Sequence, residues 1–264
     1  MTRTARIEAL TGGKVIRIRP LHGGDLSEVV QVTLEDGREF ACKTGPLVTA
    51  EARMLDAIGE AAPAPAPRFV DRDLLLMDFL PGEPARAPHW HDLGRSLRRL
   101  HDRTGPENGW PEDYAFGAVE IPNAPMPDWP AFWAERRLRP SLPFLPADLA
   151  RRLERLIAAL PGLLPDPAPA LLHGDLWTGN VHFSGGRAWL IDPACYYGHG
   201  EVDLAMLHLF GSPPAAFWDG YGATEPGYET RQPIYQLWPA LVHYRLFDSG
   251  YAGMVDRLIG AAGR

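Results

Sequence analysis

Hydrophobic and polar positions follow two rhythms along this chain. Up to about residue 80 the apolar positions mostly alternate, as on strands, with one helical interruption. Beyond it they recur every three or four residues, as on helices. Val15 or Ile16 with Ile18 predicts a strand within Lys14–Leu21. Val30, Val32 and Leu34 alternate, Asp36-Gly37 supplies a turn, and Glu39–Lys43 forms the return strand of a hairpin. The interruption is a helix over Thr49–Ala61, with Ala52, Leu55, Ile58 and Ala62 on one face and Thr49 placed to cap it. The Ala-Pro run Pro63–Pro67 is a stiff connector. Phe69-Val70 and Leu74–Leu80 then read as two strands around Asp71-Arg72-Asp73.

The helical part opens with His91–Asp102, carrying Leu93, Leu97 and Leu100 on one face and His101 beside it as a packed or capping residue. Gly105–Pro130 is rich in Pro and Gly and reads as a loop or a cover. Trp129–Leu138 predicts a helix with Trp133 and Leu138 inward, and Ala147–Leu160 an amphipathic one. A helix should begin within Gly198–Phe210, and a long one should run over Gln232–Phe247. Gly211–Gly222 is aromatic and turn-rich.

Between these helices lies Leu171–Tyr197, which breaks the rhythm and concentrates the polar chemistry. His173-Gly174-Asp175 follows a short apolar run, and Asn180 stands five residues after Asp175. Val181–Phe183 and Ala188–Ile191 flank Ser184-Gly185-Gly186 as a hairpin, which ends at Asp192. A lone Asp or Asn in a Gly-rich loop is turn chemistry. The joint spacing H-G-D-x-x-x-x-N, with an Asp at a strand end beyond it, suits phosphoryl transfer. That reaction asks the protein mainly for positioning and charge neutralisation. Asp175 is placed to accept the proton of an attacking hydroxyl. Asn180 and Asp192 offer the few hard oxygen donors that Mg²⁺ takes beside nucleotide phosphates. Trp177, inside the same loop, offers a face on which a polyol could stack.

Composition narrows the field. The chain has 264 residues, 45% of them hydrophobic, enough for one large domain or two modest ones. A net charge of −7 argues against nucleic-acid or anionic-membrane partners. No apolar run approaches the roughly 18 residues of a membrane span, and MTRTARIEAL lacks the apolar centre of a secretory leader. Two cysteines, Cys42 and Cys195, make no disulfide framework, so a cytoplasmic location is expected. There is no zinc-type Cys/His spacing, no G-x-S-x-G elbow and no G-x-x-x-x-G-K-[ST] loop. Only two lysines, Lys14 and Lys43, stand among 26 basic residues. A compact ammonium suits a phosphate as a point charge, so Lys43 is either such a binder or a solvent-facing strand residue.

HGDLWTGN closely resembles the catalytic-loop signature of the fructosamine kinase family, a branch of the kinase-like small-molecule phosphotransferases. The Trp of HGDLW points to this branch. IDPACYYGHGEVDLAM, YQLWPALVHYRLF and DWPAFWAERRLRPSL also resemble family segments, so the likeness covers nearly the whole chain. It implies an α+β, two-lobed protein-kinase-like fold. Residues 1–80 would form a small antiparallel-sheet N-terminal lobe and 81–264 a larger, mainly helical C-terminal lobe, with a hinge near 77–81. Gly23 and Gly24 resemble a nucleotide-covering loop, although a Gly-Gly pair is also an ordinary turn. Glu51 would pair with Lys43 and hold it toward the phosphates; it also suits a helix first turn. The backbone of Asp78, Phe79 and Leu80 would meet the adenine edge, with Met77 against the ring. LLLMDFLPG can equally be a buried strand. Asp203 would brace the catalytic loop with His173 in support, and His199 and Glu201 are candidates for acceptor recognition.

The implied reaction is transfer of the ATP γ-phosphoryl group, with Mg²⁺, to the 3-hydroxyl of a ketosamine. The acceptor would be a ribulosamine or fructosamine, as a small molecule or on a protein amine, and the product would lead to deglycation. Two other readings stand beside it: an aminoglycoside or other small-alcohol acceptor, and a nucleotide-binding pseudokinase scaffold. The scaffold predicts a missing base, metal ligand or lysine, and all three are present.

Overall fold

The computed structural model describes residues 2–21 and 28–262. It is an α+β fold with an antiparallel sheet at the N-terminal end and a helical remainder. Helix α1 (Arg3–Thr11) is capped by the Thr2 hydroxyl, which accepts from the Ala5 amide, and is closed by Gly12 at φ 66°. It buries only Ile7 and Thr11, which is why no apolar stripe announces it. Strands β1 (Val15–Pro20), β2 (Glu28–Leu34), β3 (Glu39–Thr44), β4 (Pro67–Asp71) and β5 (Leu74–Asp78) form one sheet in the order β1-β2-β3-β5-β4. Every pairing is antiparallel. Gly37 turns the β2–β3 hairpin at φ 86°. Val30, Val32, Leu34, Phe40 and Leu76 pack with Ile7 on one face of the sheet. Val48, Leu55, Leu75 and Met77 pack on the other.

That second face receives α2 (Val48–Gly59). Thr49 is not its cap. Leu47 occupies the cap position without a side-chain bond, and the Thr49 hydroxyl donates instead to the Arg72 carbonyl. The tertiary partner outweighs the local one.

The helical part holds the largest core. α3 (Ala87–His101) begins four residues before the expected start, because Pro88 suits a first turn where its missing N–H costs nothing. It packs tightly on α7 (Ala215–Tyr221) at paired glycines. A Cβ on Gly94 would lie 2.1 Å from the Phe217 carbonyl oxygen, and one on Gly220 2.1 Å from that of His91. Strands β6 (Tyr114–Phe116) and β7 (Val119–Ile121) form a small hairpin within the Pro/Gly-rich stretch. α4 (Trp129–Phe132) runs on as a π-helical turn over Trp133–Leu138, with Trp133 and Leu138 buried as expected. The wide turn also buries Arg137 completely. Its guanidinium donates to the Pro122 carbonyl and to Asn123 Oδ1, both at 2.7 Å, and lies 4.0 Å over the Tyr196 ring. α5 (Ala147–Leu163) follows. β8 (Ala170–Leu172) leads into the catalytic stretch, β9 (Val181–Ser184) and β10 (Arg187–Leu190) make its hairpin, and β11 (Tyr196–Gly198) returns beside β8. α6 (Glu201–Leu207), α8 (Tyr228–Phe247) and α9 (Ala252–Ala262) complete the chain.

The two parts are stitched along α2 and the hairpin. Arg53 pairs with Glu112, the Cys195 amide and thiol meet Met54, and the Leu190 amide donates to the Pro63 carbonyl. The Glu83 amide donates to the Phe183 carbonyl. No helix of the described residues is long and apolar enough to cross a membrane.

Candidate active site

Between the sheet and the helices lies a cleft of about 490 Å³, and the catalytic stretch forms its floor. Lys43, Glu51, Asp175, Trp177, Asn180 and Asp192 all line it. The fold brings them together from β3, α2, the loop after β8 and the end of the β9–β10 hairpin. Lys43 Nζ lies 2.7 Å from Glu51 Oε2 and 3.0 Å from Asp192 Oδ1. Glu51 is almost wholly buried, so its charge requires this partner. Burial works against the Lys43 ammonium, but Glu51 and Asp192 outweigh it and hold its pKa above the ordinary value. Asp192 adopts φ 53°, a left-handed conformation uncommon outside glycine. This turns its side chain out of the strand end and into the cleft.

Asn180 organises the loop. Its side-chain amide donates to the Asp175 carbonyl at 2.8 Å and to Asp175 Oδ2 at 3.0 Å. The Ile191 amide donates to the Asn180 carbonyl, tying loop to hairpin. Burial pushes the Asp175 carboxyl up to about 8; the Asn180 hydrogen bond opposes this, and the negative charges of Asp192 and Asp203 add to it. His173 is fully buried, and desolvation lowers its pKa. It is neutral with both ring nitrogens used: Nε2 donates to the Ile191 carbonyl at 2.9 Å, and Nδ1 accepts from the Asp175 amide at 3.3 Å.

Asp203, at the start of α6 and inaccessible to solvent, holds the loop backbone from below. It accepts from the His173 amide at 2.8 Å and the Gly174 amide at 2.9 Å. His101 Nε2 reaches the same carboxylate at 3.1 Å, and Tyr221 meets the other ring nitrogen. Gly174 has φ 81°, and a Cβ there would lie 2.0 Å from the Ala194 carbonyl oxygen, so only glycine fits. Gly179 is a further feature the pattern did not disclose. A Cβ there would lie 2.2 Å from Trp177 Cη2, so the half-exposed indole lies folded over the bare backbone.

Other expected residues sit differently. His199 and Glu201 are both buried and are not part of the cleft wall. Both Glu201 oxygens are taken by Arg231, at 2.7 and 2.5 Å, and His199 Nδ1 meets the Tyr235 hydroxyl at 2.7 Å. These contacts tie the start of α6 to α8. Glu225 lies near these two, but with Glu201 already neutralised by Arg231 the trio carries no metal claim. At the end of β5, Met77 is buried against α2, and the Asp78 carboxylate pairs with Arg68 at 2.6 Å. The Asp78 amide donates to the Ala66 carbonyl, and the Leu80 carbonyl accepts from His182. The Asp78 amide is therefore engaged, the Leu80 carbonyl keeps a second lone pair, and Phe79 lies between them. Gly23 and Gly24 lie outside the described residues.

A lysine held by a helical glutamate, a loop carboxylate tied to an asparagine, and a second carboxylate at a strand end, all in a cleft between sheet and helices, define an ATP-dependent phosphotransferase of the protein-kinase-like class. At the level of fold alone, the macrolide 2'-phosphotransferase of Brachybacterium faecium matches with a TM-score of 0.62 at 19% identity, covering 97% of this chain and 95% of that one. The chain belongs to the fructosamine kinase family, whose sequence model matches residues 2–262. A probable ketoamine kinase of Thermus thermophilus is 36% identical over 253 residues, 92% of this chain and 93% of that protein. A crystal structure of a putative fructosamine-3-kinase from Thermobifida fusca matches with a TM-score of 0.91 at 33% identity, covering 99% and 98% of the two chains.

Proposed function

We propose that the protein phosphorylates the 3-hydroxyl of a ketosamine, a ribulosamine or fructosamine, at the expense of ATP. The observation that carries this is the Asp175–Asn180–Asp192–Lys43–Glu51 constellation in one cleft of a fructosamine kinase family member. The name of the Thermobifida fusca neighbour specifies the 3-position.

Asp175 Oδ2 is held by Asn180, which leaves Oδ1 for the acceptor hydroxyl. As the new oxygen–phosphorus bond forms and the bond to the β-phosphate oxygen breaks, the hydroxyl proton passes to this carboxylate and ADP leaves. Lys43, fixed by Glu51, presents its ammonium to the phosphates. Nucleotide would span residues 1–80 and 81–264, with the adenine edge at the strap 77–81 and Gly23-Gly24 over the phosphates. The donors present fit Mg²⁺. Asn180 spends its NH₂ on Asp175 and keeps its oxygen, and Asp192 turns a part-exposed carboxylate into the cleft. When bound, the ion would neutralise phosphate charge and fix the nucleotide. Trp177, on its glycine platform, offers the sugar a flat apolar face, and Asp203 with His173 keeps the loop in shape. The two free, buried cysteines suit a cytoplasmic setting.

Product analysis tests the regiochemistry. NMR of the phosphorylated ketosamine should place phosphorus on the 3-oxygen, followed by elimination of inorganic phosphate and hydrolytic release of the free amine from the remaining dicarbonyl fragment. Phosphorus on any other carbon would refute the 3-kinase reading. The aminoglycoside reading requires turnover of such a compound in the same assay.

A further inference from the structure

Charge is unevenly distributed in the cleft. Among the described residues its four charged lining residues, Lys43, Glu51, Asp175 and Asp192, all stand at the phosphate end. No residue of the strap 77–80 lines this cavity among the described residues, so its volume serves phosphates and acceptor and not adenine. Away from Asp175 the wall is apolar. Val202 and Met206 come from α6, and Trp238 and Val242 from one stripe of α8; all four are buried. Phe210 and Phe247 stand at the rim, 44% and 48% exposed, among the few large apolar side chains the protein leaves in water. The His243 ring lies between them, 5.2 Å from Phe210 and 5.8 Å from Phe247 between centroids.

An exposed aromatic pair continuous with a buried apolar wall, opening into an active-site cleft, marks a binding surface. A ketose is hydroxylated along its length, and the Trp177 face already serves its C–H side, so it makes little use of a second apolar wall. The part of a ketosamine able to use it is the group carried on its amine.

We propose that the outer half of the cleft is a subsite for an apolar amine substituent, aromatic or branched aliphatic, and that the preferred acceptors are ketosamines of hydrophobic amines and not of lysine. This rests on the ketosamine reading above. The Nε-linked chain of lysine has an apolar stem, but it ends in an ammonium and a carboxylate, or in a peptide backbone. Among the described residues the rim offers these no charged partner.

The test compares kcat/KM for three ribulosamines, made from benzylamine, from glycine and from the ε-amine of lysine, in the intact protein and in Phe210→Ala/Phe247→Ala. Both rim residues are exposed, so the double variant should fold, and its melting temperature checks this. The expected result is at least a tenfold preference for the benzylamine adduct over the lysine adduct, carried by KM, that collapses toward one in the double variant. Equal use of the adducts, or preference for lysine, overturns the proposal. So does a benzyl preference that survives the double substitution. Turnover of the glycine adduct separates the two levels. If it is phosphorylated and benzyl gains nothing, only the subsite fails; if no ribulosamine is phosphorylated, the ketosamine reading fails and the subsite with it.

Discussion

Asp175 is the base we propose, and its environment makes a prediction independent of substrate. A carboxyl held up to about 8 in the folded protein, against about 3.9 in an unfolded chain, binds its proton more tightly when folded. The folded state therefore gains from the proton below pH 4, and this stability is lost as pH rises toward 8. Asp175→Asn removes the penalty. Its melting temperature should match that of the parent near pH 4 and exceed it at pH 8 by roughly 2 °C or more, the shift expected for about 1 kcal/mol in a chain of this size. A parent as stable as the variant at pH 8 would contradict the burial argument. His199 works in the opposite sense. Burial first, then the nearby Arg231 charge, push its pKa down to about 3, so it stays neutral when folded and takes a proton when unfolded. Its contribution is present above about 6.5 and is lost as pH falls toward 3. His199→Gln should flatten the decline of melting temperature between pH 7 and 5. The grouping of Asp175, Asn180 and Asp192 was legible because their spacing is short and their chemistry specific; Lys43, 149 residues from Asp192, stood out only by the rarity of lysine and the family likeness. The burial of His199 and Glu201 was not, because Arg231 and Tyr235 arrive from a helix some 30 residues downstream.

At the scale of elements, the catalytic loop is shaped by what lies beneath it. Asp203→Ala would leave the buried amides of His173 and Gly174 without an acceptor, each worth about 1–3 kcal/mol. We expect a loss of about 2–4 kcal/mol by denaturant unfolding and at least tenfold in kcat; an unchanged midpoint would show that the loop finds other partners. Gly179→Ala should evict the indole of Trp177 from its platform. Because that indole is partly exposed, stability should hardly change, while KM for the acceptor rises several-fold and KM for ATP stays put. An equal rise in both would mean that Trp177 does not face the acceptor. Periodicity found the long helices α3, α5 and α8 and the sheet strands. It missed α1, which buries two residues, and α9, and it misplaced the cap of α2 because Thr49 serves Arg72 instead. Weak amphipathicity and tertiary hydrogen bonds leave little trace in a local pattern.

Across the whole molecule, the sheet and the helical part are held around the cleft by Arg53 with Glu112, Met54 with Cys195 and Lys43 with Asp192. The α+β division could be read from the change of rhythm near residue 80. The kinase-like class could be read from one eight-residue signature. What only the fold discloses is that the acid-rich phosphate end and the aromatic rim belong to one cleft. The most direct test of the account is ATP consumption, with Mg²⁺, against ribulose-lysine, fructose-lysine, an aminoglycoside and choline, in the intact protein and in Asp175→Asn. The account predicts turnover on a ketosamine, falling by about 10²–10⁴ in the variant as expected for loss of a general base. Turnover confined to the aminoglycoside or choline, or ketosamine turnover undiminished by the substitution, would contradict it.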